Sequence, residues 1–163
     1  MHRLPSAHLS PDAAPPLERT LTYRLHLLHK LTDLGSQRAY AADAGLSLSD
    51  GRCLAAIGAF APLSVNDLAH KANLNKGQAS RAAQSLVEQG LVRKADNASD
   101  GRGVVLTLTP AARQAWRRAM RVIGQRNEAI FGCLPAAEQA QLSQLFDRLI
   151  QQAQMLNTVS TPV

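Results

Sequence analysis

The sequence predicts a mainly α-helical chain with a small β wing, a winged helix-turn-helix set between long helices that form a dimerisation region. Three observations carry this expectation. Between Leu63 and Thr109, two short helical patterns, a turn and two strand patterns joined by a polar Asp-Gly-Arg loop follow one another. On both sides lie longer stretches in which leucines and other apolar residues recur at helical spacing. The 163 residues are 45% hydrophobic, enough for the core of one domain, yet carry a formal net charge of +6 and a pI near 10.0, an excess suited to a polyanionic partner.

The elements are read in chain order. Residues 1–16 hold Pro5, Pro11, Pro15 and Pro16 and are expected to form a flexible arm. Leu17, Leu21, Leu25, Leu28, Leu31 and Leu34 then mark a long first helix over residues 17–42 that Gly45 closes, so that residues 17–45 make one dimerisation segment. A second helix is expected from an N-cap at Ser49, with Asp50 in its first turn, Cys53, Leu54 and Ile57 on its inner stripe, and an end near Gly58 or Pro62. Ser64 with Asp67 three residues on caps a short third helix through Val65, Leu68, Ala69 and Ala72, and Asn73 marks the turn. Asn75 caps a fourth helix reaching Gln89, with Gly90 ending it. Residues 91–95 and 103–108 read as strands around the loop NASDGR, completing a DNA-binding domain over residues 46–109. Thr109 followed by Pro110 reads as the cap and first position of a fifth helix, and Pro135 starts a sixth whose apolar face runs through Leu142, Leu145, Phe146, Leu149, Ala153 and Leu156. Residues 110–157 are thus a second dimerisation segment, and 158–163 a tail.

The chemistry of DNA reading falls on the fourth helix and the wing. Small residues Ala79, Ala82 and Ala83 let that helix lie close to the core and present its polar face to a major groove, which admits one α-helix. Arg81 matches the bidentate edge of guanine, and Gln78 or Gln84 matches adenine. Lys76, Ser80 and the helix N-termini at Ser64 and Asn75 suit phosphates. At the wing, Arg102 suits a narrow minor groove, and Asp100 is placed to brace it. For each residue alone, a solvated helix face is the competing reading; the set together with the wing favours DNA.

Other classes find less support. No apolar run reaches the roughly 18 residues of a membrane span, no secretory signal is apparent at the start, and a cytoplasmic protein is expected. Cys53 and Cys133 lie far apart within apolar helical patterns and are read as buried hydrophobes. His26 and His29 stand at i, i+3, a spacing that can share a metal with His70, but no cysteine or carboxylate cluster accompanies them, and no metal or cofactor is expected. No nucleophile elbow, phosphate loop or paired His and carboxylate motif marks an enzyme.

The segment LAHKANLNKGQASRAAQSLVEQGLVRK, the Leu-Ser pair with Leu54 before it, and the Asp-x-Arg at Asp100 and Arg102 leading into LTLTPAA together resemble the MarR family of bacterial transcription regulators over nearly the whole chain. The resemblance implies a homodimer on a pseudo-palindromic operator, usually a repressor released by a small phenolic or aromatic-acid effector bound between the dimer region and the DNA-reading lobe. On that basis His26, Arg38, Tyr40, Asp50 and Arg52 are the candidate effector residues, and a hydroxylated benzoate or nicotinate is the expected effector. Two departures stand out: Gly51 where relatives often carry an aromatic residue, which is expected to leave space, and Lys94 where many carry Arg. Redox-sensing relatives use a thiolate near the start of the first helix, where this chain has no Cys. A thiol-based sensor and a non-specific architectural DNA binder are the alternatives.

Overall fold

The computed structural model describes residues 15–96 and 103–159. A single 3-10 turn at Leu17–Arg19 leads into α1 (Leu21–Ala39), whose N-cap Thr20 accepts a hydrogen bond from the Tyr23 amide. The regular α-helix spans Leu21–Ala39 rather than the expected residues 17–42, because Tyr40–Ala44 widens into a π-turn before Gly45 takes the left-handed conformation (φ 66°) that closes it. Tyr40 and Ala44 are buried by this turn, whereas α1 itself buries no residue within one chain.

Next comes α2 (Leu48–Phe60). Its N-cap is Ser47 rather than the expected Ser49: Ser47 is extended (φ −66°, ψ 161°) and its hydroxyl accepts from the Asp50 amide at 3.0 Å. Leu48 can therefore open the helix and pack against the core. This helix is the centre of the fold; Cys53, Leu54 and Ile57 are fully buried. Helices α3 (Val65–Lys71) and α4 (Lys76–Glu88) pack on it and on each other. Asn73 at φ 55° makes the turn between them. The inner face of α4 is Ala79, Ala82, Ala83 and Leu86, all buried. Gly90 (φ 70°) ends that helix, and the antiparallel pair β1 (Val92–Asp96) and β2 (Val104–Leu108) follows, with Val92 opposite Leu108 and Lys94 opposite Leu106. Leu63 adds a single antiparallel bridge to Leu106, a one-residue third edge to the wing that the sequence pattern did not reveal.

The last two helices are α5 (Ala112–Phe131) and α6 (Ala136–Val159). Thr109 does not cap α5 as expected; its hydroxyl donates to the Gly90 carbonyl at 2.7 Å, tying the end of the wing to the end of α4, and the helix starts after Ala111. Cys133 is another correction, since it is exposed in the turn between α5 and α6 rather than buried in a helix. Ala115, Ala119 and Val122 of α5 join the core, but the apolar faces of α1 and α6 stay open: Leu21 is 80% and Leu149 63% exposed. Phe131 and Phe146 meet edge to face at 6.5 Å, where α5 and α6 adjoin. Among the described residues, no helix is long and apolar enough to cross a membrane.

Candidate DNA-reading surface and effector cleft

The polar face of α4 is held at three points. At its start Asn75 and Gln78 form a full capping box: the Gln78 amide donates to Asn75 Oδ1 at 2.8 Å, and the Asn75 amide donates to Gln78 Oε1 at 3.1 Å. Midway, Lys94 of β1 donates to Gln84 Oε1 at 3.0 Å, and Gln84 Nε2 donates to Glu88 at the same distance. Near its end Ser85 donates to Asp50 of α2 at 2.8 Å, with Gln89 adding a longer bond to the same carboxylate at 3.3 Å. The helix is thereby fixed to α2 and to the wing by side chains as well as by its alanine face.

This geometry sorts the residues expected to contact DNA. Lys76, Ser80 and Arg81 are exposed, and no hydrogen bond or ion pair within the described residues occupies their side chains. Arg81 lies back along α4 over Gly77, where a Cβ would stand 3.5 Å from one guanidinium nitrogen. Gln78 and Asn75 spend their side-chain oxygens on the cap, and Gln84 uses both ends of its amide, so each must exchange a bond before it reads a base. Ser64 likewise donates to Asp67 at 2.7 Å while accepting from the Asp67 amide at 3.1 Å. Asp100 and Arg102 lie outside the described residues.

Of the five candidate effector residues, the structure brings two together. Tyr40 and Arg52 line a cleft of about 360 Å³ between α1, α2 and α5. His26 and Arg38 are exposed on α1 and do not line it, and Asp50 is occupied by Ser85 and Gln89 of α4. Gly51 leaves no space: a Cβ there would overlap the Tyr40 ring, which packs directly on the α2 backbone. Burial pushes the Tyr40 phenol above its ordinary pKa, partly offset by the nearby Arg52 charge.

The cleft also holds residues that the sequence did not single out. Arg52 is already paired with Asp33 of α1 at 2.6 Å, and Asp33 also stands 3.6 Å from His29. Lys71 lies 4.8 Å over the Phe60 ring. Among the described residues Arg126 of α5 has no carboxylate partner; its Nε donates to Ser36 at 3.4 Å, and its guanidinium packs so closely on Gly35 that a Cβ there would overlap it. Ile123, Ile130 and Phe131 make the apolar wall. The one signal in the sequence was an arginine set three and four residues from Ile123 and Ile130, on a face read only as dimer surface.

A short helix, a tight turn, a capped reading helix and an antiparallel wing, carried on long helices with open apolar faces, define a winged helix-turn-helix DNA-binding protein. Residues 44–103 match the model of the MarR family of transcription regulators. Among solved structures, a MarR/EmrR family transcriptional regulator from an Acinetobacter species aligns with a TM-score of 0.78 at 20% identity, covering 86% of this chain and 99% of that one. BpsR of Bordetella bronchiseptica, whose DNA binding is regulated by 6-hydroxynicotinic acid, aligns with a TM-score of 0.75 at 18% identity, covering 84% and 97%. A MarR family protein of Mycobacterium tuberculosis in complex with salicylic acid aligns with a TM-score of 0.65 at 25% identity, covering 85% and 98%. No curated protein sequence matches significantly.

Proposed function

We propose that the protein is a homodimeric, sequence-specific repressor released from a pseudo-palindromic operator by a small aromatic acid. Lys76, Ser80 and Arg81 of α4 make the first contacts in the major groove, with Gln78 and Gln84 reading bases once their internal bonds exchange. Ser64 and Asn75 at the helix starts lie against phosphates, and Arg102, with Asp100 as its expected partner, serves the minor groove. The leucines of α1 and the apolar face of α6 are covered by a second copy, which sets the spacing of the two reading helices.

The observation that carries the effector assignment is Arg126, a guanidinium without a carboxylate partner among the described residues, lining a cleft with an apolar wall. A bidentate pairing with a ligand carboxylate suits it, while Arg52 is partly neutralised by Asp33. The cleft volume falls within the range of about 300–1,000 Å³ typical of small-molecule sites. The effector is a hydroxylated benzoate or nicotinate; that BpsR responds to 6-hydroxynicotinic acid supports this chemistry. A ligand wedged between α1, α2 and α5 also touches the helix that α4 leans on through Asp50, giving a route from cleft to reading helix.

Calorimetric titration with salicylate, 4-hydroxybenzoate and 6-hydroxynicotinate tests the assignment. At least one acid should bind the wild type, and Arg126→Ala should weaken it by about tenfold or more, the loss of a charged hydrogen-bonded pair. Binding of no member of the panel, or undiminished binding to the variant, overturns it.

A further inference from the structure

A second cleft, of about 480 Å³, lies where the base of the wing meets the start of α5. Its rim carries Arg93 of β1 and Arg113 and Arg117 of α5, and its apolar floor includes Trp116, Leu108 and Pro110. No carboxylate lines it, and none of the three arginines forms an ion pair among the described residues. Three guanidinium groups gathered without a counter-charge repel one another, and an anion seated among them removes that repulsion. Arg93 is pre-set for such a role, since its Nε donates to Thr107 Oγ1 at 3.1 Å, which orients the fork. Trp116 is half-buried and anchored by its indole N–H to the Ala55 carbonyl at 3.4 Å; its ring rests on α2 at Gly58, where a Cβ would overlap it.

We propose that this cleft binds a phosphorylated aromatic compound of nucleotide size. Three arginines exceed what a single carboxylate engages and match the several oxygens of one or two phosphoryl groups. The volume far exceeds that of inorganic phosphate, and the apolar floor beside Trp116 takes a planar ring. The phosphates of duplex DNA share this chemistry, but the cleft faces away from the reading helix. Arg93 and Lys94 are neighbours in β1 and leave the hairpin on opposite faces. Lys94 reaches Gln84 of α4, so Arg93 and the cleft lie on the face turned from α4, and a duplex lying along that helix leaves the cleft open.

Trp116 is the single tryptophan of the chain, so its fluorescence reports on this site alone. The full-length protein is titrated separately with GDP, ADP, inorganic phosphate and a non-operator duplex, with calorimetry in parallel to give affinities. GDP or ADP should produce a saturable change in Trp116 emission with Kd tighter than about 1 mM, and inorganic phosphate should bind far more weakly. Arg113→Ala combined with Arg117→Ala, both at exposed positions, should weaken the nucleotide by about tenfold or more while leaving the circular-dichroism spectrum and melting temperature unchanged. No saturable change with either nucleotide, equal affinity for inorganic phosphate, undiminished binding by the double variant, or a Trp116 response to the duplex alone overturns the proposal.

Discussion

Replacing Gly51 with Ala sets two physical effects against each other. Gly51 is buried within α2, where helix propensity alone favours Ala by about 1 kcal/mol. Its missing Cβ, however, is where the Tyr40 ring sits, and Tyr40 is only 3% exposed, so the ring cannot swing into solvent. Forcing extra volume into so tight a site costs about 2–3 kcal/mol, the upper part of the usual overpacking range, against the roughly 1 kcal/mol that propensity returns. The Gly51→Ala variant is therefore expected to be destabilised by about 1–2 kcal/mol. Urea denaturation followed by Trp116 fluorescence, at one fixed protomer concentration because association contributes to stability, measures it. The background matters as much as the size. In Tyr40→Ala, which removes the ring, the same Gly51→Ala change should become neutral or stabilising by up to about 1 kcal/mol. If Gly51→Ala stabilises the wild type, or costs the same with and without the Tyr40 ring, the packing of that ring on α2 is not what holds Gly51 in place.

Further outcomes follow from the ties around α4 and from the thiols. Asp50→Ala removes the acceptor for Ser85 and Gln89 and should lower stability by about 1–3 kcal/mol in the same denaturation assay, whereas Arg38→Ala, on the exposed face of α1, should leave it within about 0.5 kcal/mol. Asn75→Ala breaks the capping box and should cost about 1 kcal/mol while also weakening DNA binding in gel-shift titrations, because the start of the reading helix frays. Burial, reinforced by the Asp50 charge, pushes the Cys53 thiol up to about 12, so a chromogenic disulfide at neutral pH should label the exposed Cys133 and leave Cys53 unmodified in the folded protein. The folded state holds the Cys53 proton more tightly than the unfolded chain does. Its contribution to stability is thus complete below the ordinary value of 9.0 and is lost as pH rises toward 12; Cys53→Ala should flatten the decline of melting temperature over that window.

The DNA-reading elements were legible because each is specified locally. Alanine and leucine spacing set the inner face of α4, Asn75 its start, Gly90 its end, and alternation the two strands. Errors of register arose where two residues offered the same chemistry. Ser47 and Ser49 are both good caps, and only the packing of Leu48 on the core selects the first. Thr109 before Pro110 has the composition of a helix start, but a tertiary bond to Gly90 takes its hydroxyl. The proposed effector cleft was legible only in Tyr40 and Arg52, since it is assembled from three helices and Arg126 meets a partner, Ser36, 90 positions away. Gly51 misled for a related reason: a missing side chain reads as space in a sequence, whereas here the ring of Tyr40 fills it. The apolar stripes of α1 and α6 were legible as faces left largely exposed in one chain, because a stripe that continuous exceeds what one subunit buries.

The central claim is that α4 reads sequence, and selection from a pool of random duplexes tests it most directly. The purified protein is used to enrich bound duplexes, and the affinity for the enriched site is compared with that for a scrambled duplex at one salt concentration. Sequence-specific reading predicts an enriched pseudo-palindrome with half-sites about 10 base pairs or a multiple apart, bound at least about 10³-fold more tightly than the scrambled duplex. Arg81→Ala should erase most of that preference while leaving the salt dependence of non-specific binding nearly intact. A protein that enriches no motif, binds both duplexes alike and merely loses affinity steeply with salt would be a non-specific architectural binder, and the assignment of α4 as a reading helix would be wrong.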